Sequence, residues 1–169
     1  KKLKKEFYLM KNKLVAVIPV RSGSQRVKNK NFKKFGNKNL LINKIEKLKK
    51  LKDLDQIIIN TDSLKAIKIA ELMGVNYFKR ESYYASSKCS NSEFWSYIGK
   101  VTNSEYIMFT NCTSPMVKIS TYKKFIKYFM KNKKKYNSFN TVSDIKEYLL
   151  KNNKPINFNF NSTPNSQDL

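Results

Sequence analysis

Leu14-Val15-Ala16-Val17-Ile18, running on without a break into Pro19-Val20-Arg21-Ser22-Gly23-Ser24-Gln25-Arg26-Val27-Lys28-Asn29-Lys30-Asn31, is the stretch on which the fold turns. The first five residues are apolar without alternation, the pattern of a strand buried on both faces. Such a strand belongs inside a parallel sheet covered by helices. It then breaks into a Gly/Ser turn studded with cations. Gly23 and Ser24 let successive backbone N–H groups point into one concavity, and Arg21, Arg26, Lys28 and Lys30 can neutralise an anion held there. The G-x-x-x-x-G-K-[ST] spacing of a Walker loop is absent, as is the G-x-G-x-x-G of a dinucleotide loop.

Arginine usage sharpens this reading. Of 35 Lys plus Arg, only positions 21, 26 and 80 are Arg. A chain that uses Lys almost everywhere keeps Arg where a planar, bidentate donor matters. Two of the three lie in the basic loop. Arg26 taken alone reads equally well as a surface charge, whereas Arg21 follows a buried strand and a Pro and reads as functional.

Downstream, strand and helix alternate. Leu40, Leu41, Ile45, Leu48 and Leu51 give an amphipathic helix over about 39–52. Gln56–Asn60 is a short buried strand, and Ser63 sits where an N-cap should be, before a helix ended by Gly74. Strands are expected at Val75–Phe78, Glu105–Thr110 and Ser138–Val142, and helices after Asn91 or Ser92 and after Ser120 or Thr121. This pattern predicts an α/β fold with a mainly parallel sheet and helices on both faces. Ligands of such sheets bind at the carboxyl ends of the strands. Asn60-Thr61-Asp62-Ser63, Lys79-Arg80-Glu81-Ser82 with the serine-rich stretch after Ala85, and Thr110-Asn111-Cys112-Thr113-Ser114-Pro115 all fall at such ends. Singly they read as a helix cap, a flexible loop and a turn; together they read as a nucleotide site.

The length of 169 residues allows a domain with a sizeable core, 14–169, after a basic tail, 1–13. A net charge of +23 invites a nucleic-acid reading. The lysines are scattered, however, and Asn, Ile, Tyr and Phe are abundant too, as AT-rich codons would produce, so no specific nucleic-acid partner is expected. With no His in the chain, Ser-His-Asp, Cys-His and His-based metal chemistry are excluded. Cys89 and Cys112 lack metal-ligand spacing and read as reduced thiols of a cytoplasmic protein, although one disulfide is compatible with the sequence. No apolar run reaches membrane-spanning length, and no membrane partner is expected.

In these motifs the sequence resembles the acylneuraminate cytidylyltransferases, the CMP-sialic acid synthetases. The first family motif, I-P-A-R-x-G-S-K-x-x-x-x-K-N, is matched from Ile18 to Asn31. S-T-D-S is similar to Asn60-Thr61-Asp62-Ser63, the family Arg with L-A-S-D-x-A-S-S to Arg80 and Tyr84–Asn91, L-Q-P-T-S-P-L-R to Thr110–Val117, and R-Q-[DQ]-L to the final Gln167-Asp168-Leu169. The resemblance implies a Rossmann-like nucleotidyltransferase that transfers CMP from CTP to a nonulosonic, sialic-acid-like sugar and releases pyrophosphate, with Mg2+ as cofactor and a homodimer as the full-length form. It implies Arg21 and Lys30 as the catalytic phosphate cations. Gly23, Ser24, Arg26, Asn31, Arg80, Cys89, Ser90 and Asn91 would complete the nucleotide site, and Asn111, Thr113 and Ser114 would bind the sugar. Departures are Gln25 for the loop Lys, Ser87 for Asp, Val117 for Arg and Ser166 for Arg. The family's metal aspartates lie beyond the position of Leu169, so the chain is expected to be a fragment of a longer enzyme or an incomplete one. Two alternatives stay open: CMP transfer to an eight-carbon keto sugar acid, and a non-catalytic nucleotide- or polyanion-binding domain.

Overall fold

A computed structural model of the protein describes residues 12–23, 27–142 and 146–168. The first apolar run forms β1, Asn12–Val20. Within it Leu14, Ala16, Ile18 and Val20 face one apolar cluster, and Val15 and Val17 face another. Successive side chains of a strand point to opposite faces, so an apolar run without alternation requires cover on both.

After β1 the chain makes a 3-10 turn at Lys30–Phe32 and a small antiparallel hairpin, β2 (Lys34–Phe35) with β3 (Lys38–Asn39). Gly36 at φ 64° turns the hairpin, in the left-handed region that favours glycine. Helix α1 follows at Leu40–Lys49, capped by the Asn39 side chain, which accepts from the Ile42 amide. The sequence predicted a longer helix; the structure ends it at Lys49.

Next come β4 (Gln56–Thr61), α2 (Leu64–Leu72), β5 (Asn76–Lys79), the short α3 (Ser82–Ala85), α4 (Asn91–Val101), β6 (Ser104–Phe109) and α5 (Ile119–Asn132). Ser63 caps α2 as expected, and Gly74 follows that helix at φ 57°. The cap of α4 is Ser90, ahead of the Asn91 or Ser92 read from sequence.

The four long strands pair in the order β5-β4-β1-β6, all parallel. From β1 the chain steps outward through α1 and α2 to β5, then returns through α4 to the other side of β1. Right-handed crossovers place outward and returning helices on opposite faces. Accordingly, Leu41, Ile45 and Leu48 of α1, Ala66 and Ile69 of α2, and Tyr122 and Ile126 of α5 share the even-numbered face of β1, while Tyr97 and Ile98 of α4 cover the other. The order reverses between β1 and β6, and such a switch point is where α/β sheets hold ligands.

The chain divides into two units, Lys1–Met130 and Lys131–Leu169. In the second, Ser138–Val142 forms no strand, contrary to the sequence reading. Only Phe139 and Val142 of those five residues are apolar, too few for a buried strand, and Val142 is 89% exposed. The strands described there are those of the hairpin of β7 (Leu150–Lys151) and β8 (Lys154–Pro155), turned by Asn152 and Asn153 at φ 51° and 60°. Two consecutive left-handed residues make the turn that matches hairpin twist, and Asn tolerates it. Gln167 and Asp168 lie in a 3-10 turn, Ser166–Asp168.

Candidate functional site

Val20, Thr61 and Lys79 stand in register across β1, β4 and β5. The next residues, Arg21, Asp62 and Arg80, therefore leave the sheet side by side. They line a cleft of 690 Å³ together with Ser22, Gly23 and the Ala85–Ser87 segment. The Ser22 amide donates to Asp62 Oδ1 at 2.8 Å, and the Ser22 hydroxyl donates to Asp62 Oδ2. These bonds moor the start of the basic loop to the end of β4. Gly23 follows at φ 68°, and a Cβ there would meet nothing within 4 Å, so the demand for glycine is conformational. Half-buried Arg21 donates from Nη1 to the Ala85 carbonyl at 3.4 Å. Ser24 and Arg26, both expected in the phosphate loop, lie outside the described residues, as does Gln25.

Arg80 is more deeply held, at 6% exposure. Its Nε donates to Asn60 Oδ1 at 2.6 Å and its Nη2 to the Asn60 carbonyl at 2.8 Å. The guanidinium lies 4.5 Å from the Phe94 ring centroid. Asn60 is fully buried and donates in turn to the Tyr97 hydroxyl at 3.4 Å, and Tyr97 stacks on Tyr84 at 3.9 Å. Burial lowers the Arg80 pKa to about 10; the Asp62 carboxylate opposes this and Arg21 adds to it. Arg80 stays charged at neutral pH, as a wall of the cleft fixed in plane rather than a mobile side chain.

Of the three residues expected beside it, Ser90 serves α4. Its hydroxyl accepts from the Glu93 amide and donates to Glu93 Oε2 at 2.6 Å, while its own amide donates to Oε2 at 2.8 Å. This is a capping box. With a further bond from the Tyr83 hydroxyl, these interactions lower the Glu93 pKa to about 2. Cys89 is half-buried and close enough to favour the Arg80 charge, and Asn91 is exposed in the first turn of α4.

Of the remaining predicted residues, three lie elsewhere, at the end of β6. Asn111, Thr113 and Ser114 are exposed on the turn that follows it. Asn31 is buried in the 3-10 turn of the basic loop. Lys30 of the same turn lies near enough to Cys112 to favour its thiolate, although burial dominates and pushes that thiol up to about 12. Cys112 is thus an inert core thiol, and both cysteines are free. The structure therefore brings Arg21, Gly23 and Arg80 into one cleft and places Lys30 toward the β6 turn.

Asp62, which singly reads as part of a helix cap and with its neighbours as part of the nucleotide site, proves to be the mooring of Ser22. Sequence reasoning passed over one residue. Lys44 is fully buried in α1 and donates to Thr110, Ser114 and Tyr122. Its signal was present: position 44 falls between Leu41 and Leu48 at helical spacing, on the apolar stripe.

Among the described residues no group of three His, Cys, Asp or Glu could hold a metal ion. Asp62 and Glu81 are the carboxylates lining the cleft, and both Asp62 oxygens accept from Ser22. These residues do not fit a Mg2+ site by themselves. Nor is any helix among the described residues long and apolar enough to cross a membrane.

The profile of one family, described as Cytidylyltransferase, matches residues 15–161. The chain belongs to the cytidylyltransferase family. Among curated relatives, it is 36% identical over 85 residues to the N-acylneuraminate cytidylyltransferase of Escherichia coli O18:K1:H7, covering 50% of this chain and 20% of that one. It is 30% identical over 134 residues to an uncharacterized protein of Methanocaldococcus jannaschii, covering 77% of this chain and 53% of that one. The chain thus spans about half, or less, of the length of these relatives. Among solved structures, CMP:2-keto-3-deoxy-manno-octonic acid synthetase complexed with CTP aligns at TM-score 0.59 and 15% identity, covering 71% of this chain and 48% of that one. At that identity the likeness shows the fold, an α/β nucleotidyltransferase sheet.

Proposed function

We propose that the full-length protein transfers CMP from CTP to a nonulosonic, sialic-acid-like sugar acid and releases pyrophosphate. The observation that carries this reading is the cleft in which Arg21 and Gly23 leave β1 beside Arg80, within a family of cytidylyltransferases. The sugar class is supported by the 36% identity to an N-acylneuraminate cytidylyltransferase. In this reading the triphosphate lies along the basic loop. Arg21 offers a fixed fork to phosphate oxygens and Lys30 a point charge. The Ser22–Asp62 mooring holds the loop's first turn in place before the ligand arrives, which lowers the ordering cost of binding.

The base and ribose would lie toward Arg80, with Cys89, Ser90 and Asn91 near the start of α4. Arg80 acts there chiefly as a rigid, positively charged wall, since two of its N–H groups serve Asn60. The sugar acid would lie toward Asn111, Thr113 and Ser114. Its anomeric hydroxyl attacks the α-phosphorus and gives up its proton to solvent; an O–P bond forms, and the bond from the α-phosphorus to the oxygen bridging to the β-phosphate breaks, that oxygen leaving with pyrophosphate. Holding both reactants in line is the larger part of such catalysis, together with neutralisation of the leaving pyrophosphate. Mg2+, expected from the resemblance, has no ligand set among the described residues, and no step here is routed through it.

A pyrophosphate-release assay on the full-length protein tests this, with CTP and a panel holding N-acetylneuraminic acid and an eight-carbon keto sugar acid. Release that depends on both CTP and the nine-carbon acid is expected. Turnover with the eight-carbon acid alone would overturn the sugar assignment. Absence of release with any acid, together with tight salt-resistant DNA binding, would point to a polyanion-binding domain.

A further inference from the structure

Lys44 is a lysine at 0% exposure whose hydrogen-bonding partners are all neutral. Its ammonium donates to Thr110 Oγ1 at 3.3 Å, to the Ser114 carbonyl at 3.4 Å and to the Tyr122 hydroxyl. Three donors meet three oxygens, and the charge lies 5.1 Å from the centroid of the Tyr122 ring. Among the described residues no carboxylate pairs with it; the ion pair of α1 is Lys38 with Glu46. Three residues on, Lys47 donates to the Pro115 carbonyl and, at 3.1 Å, to that of Val117. Side chains three apart on a helix share a face, so α1 presents two ammonium groups to one turn.

A buried charge without a counter-ion is costly and persists only where its hydrogen bonds are satisfied. A turn that merely ended β6 could be closed by its own backbone. Here three of its carbonyls, at Ser114, Pro115 and Val117, are held from outside by lysines of another element.

We propose that Lys44 and Lys47 form a positioning clamp on the segment after β6, fixing the Ser114, Pro115 and Val117 carbonyls and with them the Asn111–Ser114 turn. Through that turn the clamp governs binding of the acceptor sugar acid without touching it. This rests on the reading of the β6 turn as the acceptor side of a cytidylyltransferase. Arg21, the centre of CTP binding in that reading, is bonded to the Ala85 carbonyl and not to this turn.

The test uses the full-length protein with Lys44→Met and Lys47→Ala, and as the control Lys38→Ala, which removes the ion pair from β3 to Glu46 of α1. Amide hydrogen exchange at 110–117 should accelerate in both clamp variants and not in the control. KM for N-acetylneuraminic acid in pyrophosphate release should rise about tenfold or more, while KM for CTP stays within about twofold. Unchanged exchange at 110–117 in both clamp variants, or equal shifts of the two KM values, would overturn the clamp. If Lys44→Met does not fold, Lys47→Ala, whose side chain is only partly buried, decides alone. A wild-type protein that releases no pyrophosphate with the acid would sink the functional reading, and the exchange experiment would still decide the clamp.

Discussion

Arg80 and Lys44 are two buried cations with neutral hydrogen-bonding partners, on opposite faces of one sheet. Arg80 packs with Phe94 and Tyr97 on the α4 side, and Lys44 with Tyr122 on the α1 and α5 side. The first is a wall of the cleft; the second lies behind a turn. Their partners also differ. Arg80 is the donor to both Asn60 oxygens, whereas two of Lys44's three acceptors, Thr110 and Tyr122, also bond each other at 3.1 Å. One cation holds up its network and the other tops one that is already closed. That difference can be broken or sharpened by mutation.

The largest effect is expected from Arg80→Ala. It removes two charge-assisted hydrogen bonds and a cation–π contact, and leaves the Asn60 amide oxygen buried without its donor. A stability loss of about 3 kcal/mol is expected, from two charged hydrogen bonds at roughly 1.5 kcal/mol each. Urea unfolding measures it. A loss near zero would erase the distinction between the two cations, because Asn60 would then not depend on Arg80.

Arg21→Ala should separate ligand from fold. Arg21 is half-buried and bonded only at 3.4 Å to a carbonyl, so its removal should barely move the thermal melt. A bidentate phosphate contact is worth roughly 1.5–3 kcal/mol, so CTP affinity by calorimetry should fall about ten- to a hundredfold. An unchanged affinity would show that the cleft at Arg21 is not where the triphosphate lies.

Lys44→Met should cost less stability than Arg80→Ala, about 1 kcal/mol. Methionine keeps most of the volume, the Thr110–Tyr122 bond survives, and only the Ser114 carbonyl loses its outside donor. Urea unfolding of both variants under the same conditions checks the ranking. A larger loss for Lys44→Met would mean that the ammonium, not the hydroxyl pair, organises that face.

The two cations also show what the sequence could and could not reveal. Arg80 was visible because arginine is rare in this chain; Lys44 was hidden because lysine is everywhere in it. The parallel sheet was legible from apolar runs at 14–18, 57–59 and 106–109, since only strands covered on both faces read that way. The gathering of Arg21, Asp62 and Arg80 followed from the rule that ligands sit at strand ends. The hairpins β2–β3 and β7–β8 were not legible, because two-residue strands leave no periodicity. Ser138–Val142 was misread for the converse reason: polar and aromatic residues mimicked a strand that has no sheet to join. Ser90 was missed as the α4 cap because Asn91 and Ser92 offer the same chemistry one and two residues later, and only Glu93 at the third helical position selects Ser90.

That capping box gives the smallest expected effect and bears on the Arg80 side alone, because α4 carries both Phe94 and Tyr97. Hydrogen bonds from Ser90 and Tyr83 lower the Glu93 pKa from 4.5 to about 2. A carboxylate whose pKa is depressed on folding stabilises the fold fully above its unfolded value. That contribution is lost as pH falls through the folded value. The window is therefore about pH 4.5 down to about 2. Glu93→Gln cannot titrate, so the melting temperature of the wild type should exceed that of the variant by a constant margin above this window. The margin should shrink steadily on acidification within it. Because Glu93 is solvent-exposed, the margin should also be small and should narrow with added salt. The same titration in the Arg80→Ala background closes the comparison. If α4 transmits the effect to Asn60 through Phe94 and Tyr97, the Glu93 margin changes when Arg80 is gone. If the two are independent, the losses add, and the capping box belongs to the helix and not to the cleft wall.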